Sequence, residues 1–337
     1  MKKRIWIFIA FLILTLLVTT IWIARKIQVS PSPSGETYRV VRDWPQLPEG
    51  IFLGQVSGID VDSQGRVFIF HRADRIWTGQ DFGLDMIQSP TLLILNGTTG
   101  QLTESRGADM FVLPHGLTID HEDNLWLTDV GLHQVFKFDP AGNLLFVLGE
   151  RGVQGNDSLH FNQPTDVAVA ADGTFYVSDG YGNSRIAKFS PSGEFLTSWG
   201  TAGDAPGEFN TPHSIALDHA GNIYVADRGN ARLQIFTPDG VFIKEWRGAS
   251  FGSPWAVRVE NEIVYIVDGG DQTEFWPDRA RILKFDLNGN PLASFGTYGK
   301  EPGQFIWPHT IALGQDGELY VGEVATGMRI QKFVRQP

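Results

Sequence analysis

The chain has 337 residues, no cysteine, 38 glycines, 12% aromatic residues and a formal net charge of −11. The missing cysteine excludes a disulfide framework, a thiolate nucleophile and a Cys-based zinc site, while a hydrophobic fraction of 42% is enough for a sizeable packed core. Lys2, Lys3, Arg4, Arg25 and Lys26 all lie in an acid-free leading stretch, so without those five cations the −11 becomes −16; so acidic a body repels phosphate backbones and makes nucleic acid an unsuited partner.

The first element runs from Ile5 to Ala24, IWIFIAFLILTLLVTTIWIA, without a charge. At about 1.5 Å per helical residue it spans about 30 Å of hydrocarbon, so a single transmembrane helix is predicted over 5–24. No A-x-A-like cleavage site ends it, which favours an uncleaved signal anchor; the alternative is a signal peptide whose removal gives a secreted protein. Lys2-Lys3-Arg4 favours a cytoplasmic segment 1–4 and an extracytoplasmic body. Residues 25–37 then form a linker, in which Pro31 and Pro33 stiffen SPSPSG.

From 38 to 337 the chain is repetitive. PHGLTIDHEDNLWLTDV from Pro114, QPTDVAVAADGTFYVSDG from Gln163, TPHSIALDHAGNIYVADR from Thr211 and WPHTIALGQDGELYVGEV from Trp307 write one pattern four times, and degenerate copies from Val56 and Ser253 make six. Within a unit, alternating apolar runs separated by turn signals such as SPSG and TPDG predict four short antiparallel strands. Four strands at this period make a blade, and a blade hydrophobic on both faces must pack against others, so the fold class is all-β, a six-bladed β-propeller. The last unit stops after its third strand, whereas Tyr38-Arg39-Val40-Val41 precedes the first, so the N-terminal strand is expected to complete the sixth blade and hide its open edge.

Immediately after the proline column, units two, four and six carry His115, His213 and His309; units one, three and five carry Ser57, Thr165 and Trp255. In a ring of six that alternation spaces the histidines by about 120° at the start of the innermost strands, where all can point to the axis. Three neutral imidazoles suit Zn²⁺ and leave a fourth position open, as catalytic zinc sites do; other divalent metals fit the same donors. Strand parity brings the loop after each second strand to the same end, and there lie Arg72, Tyr181 and Arg228. The arginines suit a small-molecule or peptide substrate bearing a carboxylate, and the tyrosine suits proton transfer. His121 and His219 are expected at the opposite end in solvent, and His71, His133 and His160 in or near loops at the metal end. Asp129, Asp179, Asp227, Asp268 and Glu323 recur at the end of the second strand, which argues for holding loop amides rather than chemistry.

The segments GQVSGIDVD, VFIFHRADRIW, LPHGLTID, LTDVGLHQVFKFDP, QPTDVAVA, VSDGYGNSRI and VADRGNARLQ resemble the NHL-type propeller of peptidyl-α-hydroxyglycine α-amidating lyase. That resemblance implies zinc on His115, His213 and His309, Tyr181 as catalytic base, Arg72 and Arg228 completing the site, and cleavage of a carbinolamide C–N bond to an amide and glyoxylate. It also implies a structural Ca²⁺ held partly by the backbone carbonyls of Ile59 and Leu117, but the aspartate the family places after the third histidine is Thr310 here, so a hard cation loses its charged ligand. Trp307 stands where the family has methionine, and the animal enzymes' disulfides are missing, which points to a shorter-looped prokaryotic relative. The rival reading is a non-catalytic NHL propeller that binds a peptide or cell-envelope partner. A metal-dependent lactonase is the weaker analogy, since such sites use carboxylate and amide ligands around calcium.

Overall fold

A computed structural model describes residues 37–77, 83–248, 251–270 and 279–336. Its strands form six four-stranded antiparallel sheets, one per repeat, in the order expected of a propeller. The innermost strands are Val56–Val61, Pro114–Ile119, Pro164–Val169, Pro212–Leu217, Pro254–Glu260 and Pro308–Leu313, which begin blades 1 to 6. Within each blade the innermost strand turns into the second through a short hairpin, whereas the second and third strands are joined by longer connections in blade 1, from His71 to Leu92, and in blade 5, from Asp268 to Arg281. In the third blade the Asp172-Gly173 turn places Gly173 at φ +84°, a conformation that costs an L side chain energy and glycine nothing. The anchor expected over 5–24 and the SPSPSG linker lie outside the described residues; among the described residues no helix is long and apolar enough to cross a membrane.

Blades are joined by side chains that fill the space between adjacent sheets. Trp126 of blade 2 is fully buried and packs its ring 4.5 Å from Phe175 of blade 3. Pairing between the first and last strands of the chain completes the sixth sheet. Tyr38–Val40 pairs antiparallel with Ile330–Arg335, Tyr38 opposite Arg335 and Val40 opposite Phe333, and Tyr38 stacks on Phe295 of blade 5 at 4.7 Å. Because Ile330–Arg335 runs away from the histidine end, this clasp strand enters at the remote end, where Gln336 N–H donates to the Thr37 carbonyl at 2.9 Å.

The recurring acids hold the loops that feed the innermost strands. Asp129 accepts the amides of Val112, Leu113 and Leu132, and Asp179, Asp227, Asp268 and Glu323 accept those of Asn162, Asn210, Ser253 and Ile306. In blades 3, 4 and 6 an arginine of the third strand, or just before it, pairs with the acid and spans to carbonyls of the preceding loop. Arg185 pairs with Asp179, Arg232 with Asp227 and Arg329 with Glu323. Arg232 is fully buried and also donates to the carbonyls of Asp204, Ala205 and Glu208. Blade 1 lacks the acid, and His71 does the same work: its Nδ1 accepts the amides of Gly54 at 3.1 Å and Ala73 at 3.2 Å. His71 is therefore buried scaffold rather than a loop residue, and burial pushes its imidazole down to about 4, which keeps it a neutral acceptor.

Removing one member of such a buried pair strands the other charge. Arg232→Met is expected to lower the unfolding free energy by about 3–5 kcal/mol, measured as a fall in the denaturant midpoint at unchanged m-value.

Candidate functional site

Each innermost strand opens with an irregularity that decides where its second residue points. Pairing steps from Pro114–Asp129 to Leu117–Leu127 in blade 2, from Pro212–Asp227 to Ser214–Ala226 in blade 4, and from Pro308–Glu323 to Thr310–Gly322 in blade 6. A bulge of this kind re-aims a side chain, so the histidine after each proline and the small residue after that both line the axis. The crowding is tight: a Cβ on Gly116 would come within 2.5 Å of the Thr165 carbonyl oxygen.

His115, His213 and His309 meet as the alternation requires. Their ring centroids lie 4.8, 4.9 and 4.9 Å apart, and their inner nitrogens lie within 4.8 Å of one another. Every Nδ1 faces a carbonyl of the next blade, Thr165 at 2.6 Å, Trp255 at 2.5 Å and Ser57 at 2.9 Å. Those carbonyls belong to the same column in blades 3, 5 and 1. A carbonyl only accepts, so the hydrogen sits on Nδ1 and each Nε2 presents its lone pair to the axis. Burial, with Arg228 adding positive charge near all three and Arg72 near His115 and His309, holds the imidazoles well below their usual range and thus neutral.

Tyr181 caps this cluster. Its hydroxyl lies 3.1 Å from His115 Nε2 and 2.8 Å from His213 Nε2, and Arg228 Nη1 donates to it at 3.4 Å. One hydroxyl hydrogen cannot satisfy two lone pairs, and His309 Nε2 is buried with no hydrogen-bond partner. The donor set therefore fits a cation: three neutral nitrogens could hold a divalent metal where protons are too few.

The two arginines differ. Arg72 is buried, donates from Nε to the Pro114 carbonyl at 3.0 Å and from Nη1 to Gln55 at 2.6 Å, and lies 4.9 Å from the ring of Trp77. Burial pushes it down to about 10, so it stays cationic at neutral pH. Arg228 is half-buried, packs 4.5 Å from the Trp255 ring, and has no carboxylate partner among the described residues. Arg228 is the arginine available to a ligand.

Comparison with known proteins adds a lineage to this geometry. The NHL repeat family matches residues 161–189 and 209–236. Peptidylglycine alpha-amidating monooxygenase of Rattus norvegicus is 39% identical over 318 residues, 88% of this chain but 32% of that protein, so the chain spans about a third of its length. Peptidyl-alpha-hydroxyglycine alpha-amidating lyase 2 of Drosophila melanogaster is 34% identical over 329 residues, 90% of this chain and 77% of the relative. The chain belongs to the peptidyl-α-hydroxyglycine α-amidating lyase family. Among solved structures, a streptogramin B lyase aligns with a TM-score of 0.57 at 12% identity, over 89% of this chain and 98% of that one, a likeness of fold alone.

In this lyase-family chain the remaining histidines lie apart from the triad. His121 and His219 are exposed; His133 accepts the Gln163 amide and His160 pairs with Asp157. Two features escaped the sequence reading. Trp77 tilts against Tyr181 at 4.9 Å and forms one wall of the site. Deeper on the axis, Arg258 donates to the Leu117 carbonyl at 3.2 Å, to the Val257 carbonyl at 3.0 Å and to Asp166 at 3.3 Å. The available signal was the appearance of Asp60 and Arg258 in a column otherwise occupied by threonine and alanine.

Elemental analysis of the purified full chain is expected to return near-stoichiometric divalent metal. The metal should be lost in His213→Ala and His309→Ala and retained in Tyr181→Phe, whose side chain is not one of the three imidazoles.

Proposed function

We propose that this chain is a zinc-dependent carbon–nitrogen lyase that converts peptidyl-α-hydroxyglycine-like carbinolamides into a terminal amide and glyoxylate, tethered by its N-terminal helix with the propeller on the extracytoplasmic side. The observation that carries the reading is the single Tyr181 hydroxyl shared between two inward imidazole lone pairs while a third, on His309, has no partner. Support for the substrate class comes from the two lyases of Drosophila melanogaster, which are named for peptidyl-alpha-hydroxyglycine.

His115, His213 and His309 would hold the zinc, and the bound ion supplies a Lewis acid that acidifies a hydroxyl beside it. Tyr181 reacts as its phenolate, its own hydrogen having passed to solvent beforehand, and Oη then takes the proton of the substrate's α-hydroxyl. As the O–H electrons become the carbonyl of glyoxylate, the C–N electron pair leaves with the amide nitrogen, which recovers the proton from Tyr181; no water is consumed and no redox partner is needed. Arg228 anchors the substrate carboxylate through charge-assisted bonds, its guanidinium already beside Tyr181. Arg72, with its donors engaged, contributes a fixed positive field and keeps Trp77 against the site.

The test is turnover of α-hydroxyhippurate by the purified full chain. Glyoxylate and benzamide should appear in equal amounts, cease on chelation and return with zinc. Tyr181→Phe should lower kcat by about 10²–10⁴-fold with metal content intact, whereas Arg228→Ala should mainly raise KM. Full metal occupancy without glyoxylate from any such compound would overturn the lyase reading and leave a binding propeller.

A further inference from the structure

The axial cavity that starts at the three imidazoles has room for about one water molecule, and beyond them it is lined by Leu117, Asp166, Ser214, Arg258 and Thr310 among others. This is where the carbonyl-based calcium site implied by the family resemblance would lie, and the residues present do not fit it. A calcium ion needs six to eight oxygens, usually with several carboxylates. Here the Leu117 carbonyl already accepts Arg258 Nη2. Asp166 Oδ2 already accepts the Ser214 hydroxyl at 2.7 Å, the Ile215 amide at 3.3 Å and Arg258 Nη1 at 3.3 Å. Asp60 spends its two oxygens on the amides of Val61 and Ile119. Thr310, buried in the same wall, brings no charge.

We propose that Arg258 is the resident second cation of this propeller: its guanidinium ties the Leu117 carbonyl of blade 2 to Asp166 of blade 3 and neutralises the axis in place of a hard metal ion. The planar fork suits this, because one guanidinium can serve a carboxylate and two carbonyls at once. It sits on blade 5 and reaches across the axis to blades 2 and 3, so it joins non-adjacent blades as a polydentate ion would. A dication added beside it would meet a like charge in a space sized for one water, where the Leu117 carbonyl and the Asp166 carboxylate are already engaged and the Ile59 carbonyl alone could not hold it. The fold then requires one metal only, at the histidines, and this assignment stands independently of the lyase reading.

Calcium content and melting temperature of the full chain test it without reference to turnover. The wild-type protein is expected to carry only substoichiometric calcium and to melt at the same temperature with and without millimolar Ca²⁺. Arg258→Met should lower Tm by roughly 5–8 °C, because buried Asp166 loses its paired cation, and Arg258→Lys should recover part of that loss. Stoichiometric calcium in the wild type, a calcium-dependent rise in its Tm, or an Arg258→Met variant as stable as wild type would each overturn the proposal. If Arg258→Met does not fold, the wild-type calcium measurements still decide it.

Discussion

The bond from each imidazole Nδ1–H to a carbonyl of the next blade is the constraint on which the site rests. It fixes the tautomer, holds the ring upright and turns a lone pair inward, and it repeats three times because the sequence alternates histidine with another residue around a ring of even number. The third of these bonds, His309 to Ser57, crosses the seam between the last blade and the first. It can form only when the ring is shut, so the clasp of Tyr38–Val40 on Ile330–Arg335 is a precondition of the site and not just of stability.

Around this centre the local field runs opposite to that of the whole molecule. The protein is strongly acidic, yet the groups nearest the triad are two guanidiniums and three imidazoles kept neutral by burial. Among the described residues the acids at the second-strand ends serve the loops: Asp129, Asp179, Asp227, Asp268 and Glu323 are consumed by backbone amides and, in most blades, by arginines. Among the described residues Arg228 has no carboxylate partner and Arg72 is buried, and a buried charge counts for more than one at the surface.

Much of this was legible in the sequence because it is periodic. Stacking the repeats reveals the blades, the closing strand, the histidine column and the acids at the second-strand ends, and parity alone brings Tyr181, Arg72 and Arg228 to one end. What was not legible depends on contacts between residues far apart in the chain. No pattern indicates that Arg72 would spend its donors on Gln55 and Pro114 while Arg228 reached Tyr181, nor that His71 would replace an aspartate as the amide acceptor of blade 1. Arg258 is the sharpest case: its partners lie 92 and 141 residues away, so its role appears only once blades face each other across the axis. The apolar segment 5–24, plain in the sequence, lies outside the described residues.

The entry point of the closing strand has a further consequence. Thr37 and Gln336 touch each other at the end of the propeller remote from the imidazoles. Whatever is joined ahead of Thr37, a leash to a bilayer included, would attach at the end away from the imidazoles and leave the end that carries them clear of the point of attachment.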